Sequence, residues 1–119
     1  MRVPPRALLT EVNGLLHDFY AEHDMADFRA ALGLIAKHYG ITRPRIRWRQ
    51  AIEDHDVWGL TFNTNRVHLY HPRYWARRPK WPTDERNWLL TFWHEMYHVV
   101  TFFEDEKRAD RFAALAMED

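Results

Sequence analysis

From Arg6 to about Glu22, the apolar residues Leu8, Leu9, Val12, Leu15, Leu16, Phe19 and Tyr20 recur at helical spacing and form one broad face. Pro4 and Pro5 stand just before it, where proline is tolerated. The same period returns from about Ala26 to Tyr39 through Phe28, Ala31, Leu32, Ile35, Ala36 and Tyr39. Asp24 or Asp27 can cap that second helix, and Gly40 suits its C-terminal stop. After Gly40 the period changes to two. Pro44-Arg45-Ile46-Arg47-Trp48-Arg49 alternates arginine with apolar residues, the pattern of a half-buried strand.

Val57–Phe62 reads as a second strand, Asn63-Thr64-Asn65 as a turn and Arg66–His71 as a third strand, so the last two are expected to form a hairpin. Pro72 ends the strand, and Arg73–Pro82 is expected to be a loop. Thr83 is the expected N-cap of a long apolar helix, with Asp84 and Glu85 in its first turn, where the dipole favours acids. A short last helix with a small-residue face is expected from about Asp105 to Met117. The order predicts an α+β fold: two N-terminal helices, a small antiparallel sheet of about three strands, a long helix and a short C-terminal helix. At 119 residues a single domain is expected.

The long helix carries the chemistry. Within Trp93-His94-Glu95-Met96-Tyr97-His98 the two histidines are four residues apart, which places both imidazoles on one helical face, one turn apart. Two neutral imidazoles so placed can share one zinc ion. Glu95, about 100° further round, can reach a water on the metal without being a ligand itself. The flanking runs Trp88–Trp93 and Val99–Phe103 are almost wholly apolar, where unpartnered polar groups would be costly. The alternative reading is a pair of hydrogen-bonded core histidines. With no cysteine in the chain, any metal must use histidine and carboxylate.

A catalytic zinc needs a third protein ligand. Glu104, Asp105, Glu106 and Asp110 are the downstream candidates, and Glu106 and Asp110 share a face of the last helix. Glu106 is the preferred ligand, with Asp110 orienting a ligand histidine. In one unbroken helix Glu106 would lie about 12 Å along the axis from His98, out of reach of a bond of about 2 Å. The chain is therefore expected to turn between about Val100 and Asp105, although neither glycine nor proline marks the place.

His94-Glu95-Met96-Tyr97-His98, followed closely by Glu106-Lys107-Arg108-Ala109-Asp110, resembles the gluzincin metallopeptidases. It is most similar to their very small members, the minigluzincins, and to related ImmA/IrrE-type and SprT-like domains. The resemblance covers about residues 88–114. It implies one zinc ion held by His94, His98 and Glu106, with Glu95 as general base, and hydrolysis of a peptide or protein substrate. An edge strand beside the motif helix could pair with extended substrate. Arg66–His71 is the expected strand, with His68, Tyr70, His71 and Tyr74 as candidate oxyanion or substrate contacts.

Charge qualifies this picture. The chain has 17 Lys/Arg and 17 Asp/Glu, so net charge indicates no partner. Yet residues 41–80 hold nine Lys/Arg against three Asp/Glu, and residues 82–119 hold four against nine. Arg77, Arg78 and Lys80, interleaved with Tyr74, Trp75 and Trp81, are candidate nucleic-acid contacts. The second functional class is thus a DNA-associated protein, and a third is a catalytically silent, zinc-stabilised regulatory domain. No apolar run is long enough for a membrane span, and the N-terminus lacks an apolar signal core, so a cytoplasmic protein is expected.

Overall fold

The computed structural model describes residues 1–49, the backbone of 59–62, and residues 65–75 and 84–118. Two helices come first, α1 (Arg6–Glu22) and α2 (Met25–Tyr39). Between them His23 closes α1 in the left-handed region, with φ 63°, and its N–H donates to the Phe19 carbonyl. Asp24 then opens α2, its carboxylate accepting from the Ala26 N–H at 2.9 Å. Gly40, at φ 65°, ends α2 as the cap that glycine favours.

Three strands follow, β1 (Arg45–Arg49), β2 (Gly59–Phe62) and β3 (Arg66–Tyr70), in the spatial order β1-β3-β2. β2 and β3 pair antiparallel, as the hairpin pattern predicts. β1 instead lies parallel to β3, with Ile46 opposite Val67 and Trp48 opposite Leu69. The expected all-antiparallel sheet is therefore a mixed one. Alternation along a strand is the same in either direction, so it encodes which face is buried but not which way the neighbour runs. The order also corrects the expected substrate strand. β3 is central, with its ladder hydrogen bonds engaged on both sides, and cannot accept an extended peptide.

The third strand ends at Tyr70, and a short helix α3 (Pro72–Trp75) occupies the start of the expected loop. Val57 and Trp58, and most of that loop, lie outside the described residues. The long helix α4 (Glu85–Thr101) is capped by Asp84, whose carboxylate accepts from the Asn87 N–H at 2.9 Å. The cap is thus one residue later than expected, and Thr83 lies outside the described residues. The last helix, α5, spans Glu106–Ala116.

The core lies between the helices and one face of the sheet. Ile46, Trp48, Val67 and Leu69 point to it from β1 and β3, and Phe19 and Phe28 meet Trp48 there at ring separations of 5.5 and 4.9 Å. α4 runs through this core with Trp88, Phe92, Trp93, Met96 and Val99 buried on several sides. Indole groups need partners when buried. Trp88 Nε1 donates to the Tyr70 carbonyl at 2.8 Å, fastening α4 to β3. Trp93 Nε1 donates to Asn13 Oδ1 at 2.8 Å, and the same asparagine donates to the Ala116 carbonyl at 3.0 Å. One α1 side chain thereby holds α4 and α5 together. No described helix is long and apolar enough to cross a membrane.

Candidate metal centre

His94 and His98 occupy consecutive turns of α4, and Glu106 reaches them because the chain reverses between Thr101 and Glu106. Phe102 makes the reversal. It takes the left-handed conformation at φ 61°, and its N–H donates to the His98 carbonyl at 3.0 Å. Thr101 supports the bend, its hydroxyl donating to the Tyr97 carbonyl and accepting from the Phe103 N–H. Asp105 then caps α5, accepting from the Arg108 N–H at 3.1 Å. A carboxylate at the first position of α5 is thus folded back over the histidine pair.

The donor atoms converge closely. His94 Nε2 lies 2.8 Å from one Glu106 carboxylate oxygen, and His98 Nε2 lies 3.0 Å from the other. The two Nε2 atoms are 3.2 Å apart. Both Nδ1 atoms are already engaged: His94 Nδ1 with Asp110 Oδ1 at 2.7 Å and His98 Nδ1 with the Phe103 carbonyl at 2.6 Å. A carbonyl can only accept, so His98 must carry its proton on Nδ1. Asp110 favours the same tautomer in His94. In neutral imidazoles both Nε2 atoms are then lone-pair acceptors, pointed at each other and at a carboxylate. Three acceptors in contact repel one another unless a cation lies between them.

Zinc fits that requirement. Bonds of about 2.0–2.2 Å in a tetrahedron give donor separations of about 3.3 Å, close to those found here. Two imidazoles and one carboxylate, without thiolate, are also a recurrent catalytic zinc set. Among the described residues, His94, His98 and Glu106 form the group of donors able to hold a metal ion. The histidine side chains are largely buried, whereas that of Glu106 is 69% exposed, so the cluster opens to solvent on the α5 side.

Glu95 is placed differently. It is 4% exposed, and its nearer carboxylate oxygen stands 3.8 Å from His94 Nε2, outside the converging trio. Of the other candidate ligands, Asp105 is committed to capping α5, and Glu104 is exposed before it. Asp110 touches His94 on the side away from the cluster.

The four proposed oxyanion or substrate residues belong to another neighbourhood. His71 packs against Phe19, His23, Trp48 and Tyr74, at the end of the sheet beside α1. Tyr70 is buried against Trp75, and His68 stands on the arginine side of β3. Burial first, then His23 and Arg73, holds the His71 pKa below the ordinary 6.5. Arg77, Arg78 and Lys80 lie outside the described residues.

Sequence reasoning missed the Phe103 carbonyl as the partner of His98, because a backbone acceptor has no residue-type signature. It also missed Asn13, whose place beside the apolar face of α1 was a usable signal: a half-buried amide there needs partners. No family model matches the chain, and no curated protein or solved structure matches it significantly.

Proposed function

We propose that the protein is a zinc-dependent endopeptidase in which His94, His98 and Glu106 hold the ion and Glu95 is the general base. The observation that carries this reading is the convergence of three acceptor atoms while both histidine Nδ1 atoms are otherwise engaged. Zinc held there would supply Lewis acidity, lowering the pKa of water towards about 7 and polarising a scissile carbonyl.

The chain's own groups supply the rest. Asp110 and the Phe103 carbonyl fix the imidazole orientations and keep both Nε2 atoms unprotonated for binding. Glu95, buried beside His94 but outside the ligand trio, takes a proton from the water attacking the carbonyl carbon. As the peptide C–N bond breaks, the Glu95 carboxyl returns that proton to the leaving amine. β2, an outer strand that packs against α4, replaces β3 as the strand placed to pair with an extended peptide.

Glu95→Gln tests the assignment. The variant retains zinc by elemental analysis and unfolds like wild type, while hydrolysis of a peptide that wild type cleaves falls by about 10²–10⁴. Unchanged hydrolysis by the zinc-loaded variant excludes Glu95 as the base. A zinc-loaded wild type that cleaves none of a broad peptide library supports the silent, zinc-stabilised role instead.

A further inference from the structure

The outer face of the sheet has no part in the metal chemistry. In the parallel register Arg45 lies beside Arg66, Arg47 beside His68 and Arg49 beside Tyr70. The alternate residues Ile46, Trp48, Val67 and Leu69 face the core, so these cationic side chains share the opposite face. Arg45, Arg47 and Arg66 are exposed. At the end towards Tyr70 the face is closed, with the Arg49 guanidinium 5.7 Å from the centre of the buried Tyr70 ring. None of the four arginines forms an ion pair among the described residues. Like charges paired directly across strands are destabilising, so the fold alone does not favour this arrangement. Its field is felt locally: after burial, Arg47, Arg49 and Arg66 hold the His68 pKa below 6.5.

We propose that the open part of this face, formed by Arg45, Arg47, Arg66 and His68, binds the phosphodiester backbone of a nucleic acid. Arginines on one strand face repeat at about 6.6 Å, and the next strand, about 4.8 Å away, adds Arg66 beside Arg45, so the cations form a planar array. A duplex presents one charge per about 1.7 Å of axis. An extended acidic peptide shows carboxylates to one side at the same repeat of about 6.6 Å but at a lower charge density than a duplex, and polyglutamate is its probe in the test. The three exposed cations are guanidinium groups, which grip phosphate oxygens bidentately. The exposed arginines leave no apolar anchor between them for a membrane surface. Binding of this kind follows the backbone, not base sequence.

The test is fluorescence anisotropy with labelled single-stranded and duplex DNA oligomers of mixed sequence, from about 20 to 200 mM salt. The expected result is binding whose log K falls linearly with log salt. Replacing Arg45, Arg47 and Arg66 together by glutamine lowers the slope by about 0.7–0.9 for each phosphate no longer neutralised, with zinc content unchanged. Strand and duplex arms identify the form preferred. Folding of the triple variant is checked by thermal unfolding, and removing like charges is not expected to lower its midpoint. The His68 ring, followed by NMR, gives a reading confined to this face: bound DNA raises its pKa towards or above 6.5. No binding at low salt, an unchanged slope in the folded triple variant, equal affinity for polyglutamate, or a His68 titration unmoved by saturating DNA would each overturn the proposal. Loss of zinc or of hydrolysis in a Glu95 or His98 variant bears on the metal centre alone and leaves this test standing.

Discussion

The α4–α5 corner and the sheet are built on opposite principles. In the corner, the donors His94, His98 and Glu106 and the supporting Asp110 all come from a short stretch, Asp110 standing 16 positions after its partner His94. Their geometry follows from helix periodicity and one reversal. The sheet depends on which strand lies beside which and in which direction, with β1 paired to β3 at a separation of 21 positions, and its exposed face gathers like charges that no described residue neutralises. One region is specified by local spacing and gathers donors able to hold a metal ion. The other is specified by tertiary pairing and presents cations outward.

The contrast breaks most completely if removal of one imidazole has no effect on the corner. His98→Ala is expected to abolish stoichiometric zinc, a larger loss than the roughly 10–100-fold typical of a supporting residue. Elemental analysis after gel filtration reads it, and zinc content equal to wild type ends the metal reading. Asp110→Asn probes the support alone. Zinc affinity is expected to fall by about 10–100-fold, measured by competition with a chromophoric chelator. An unchanged affinity would remove Asp110 from the site.

Trp88→Phe acts where the two regions meet. It deletes the hydrogen bond to the Tyr70 carbonyl and leaves space beside Phe19 and Phe92. Denaturant unfolding is expected to lose about 1–3 kcal/mol with the zinc affinity of the folded protein retained. Zinc affinity falling in step with stability would mean that corner and sheet are not separable. The smallest effect is expected at Phe102. This exposed phenylalanine holds a left-handed conformation that glycine adopts freely, so Phe102→Gly should gain up to about 1 kcal/mol. A loss of more than that would show the ring contributing to the corner's stability.

These differences explain what could be read from the chain. The boundaries of α2 were legible because Asp24 and Gly40 are residues whose local chemistry caps a helix. The histidine pair was legible from its i, i+4 spacing. The reversal before Glu106 was legible only through reach, because Phe102 is a residue that normally avoids the conformation it holds there. The parallel pairing of β1 was not legible, since arginine–apolar alternation is blind to strand direction and order. The assignment of β3 as an edge failed for the same reason. The short α3 was hidden by Pro72, which reads equally as a strand stop and as a first helical residue.

Asn13 sets the order in which the molecule can become complete. Its contact with Ala116 spans 103 positions, against the 16 that separate His94 from Asp110. By the logarithmic growth of closure entropy, the longer loop costs about 1.6 kcal/mol more to close from the unfolded chain. The α4–α5 corner is therefore the part that can assemble early from its own neighbours. The amide of Asn13 acts as a latch, bringing α1 onto α5 at the higher closure cost.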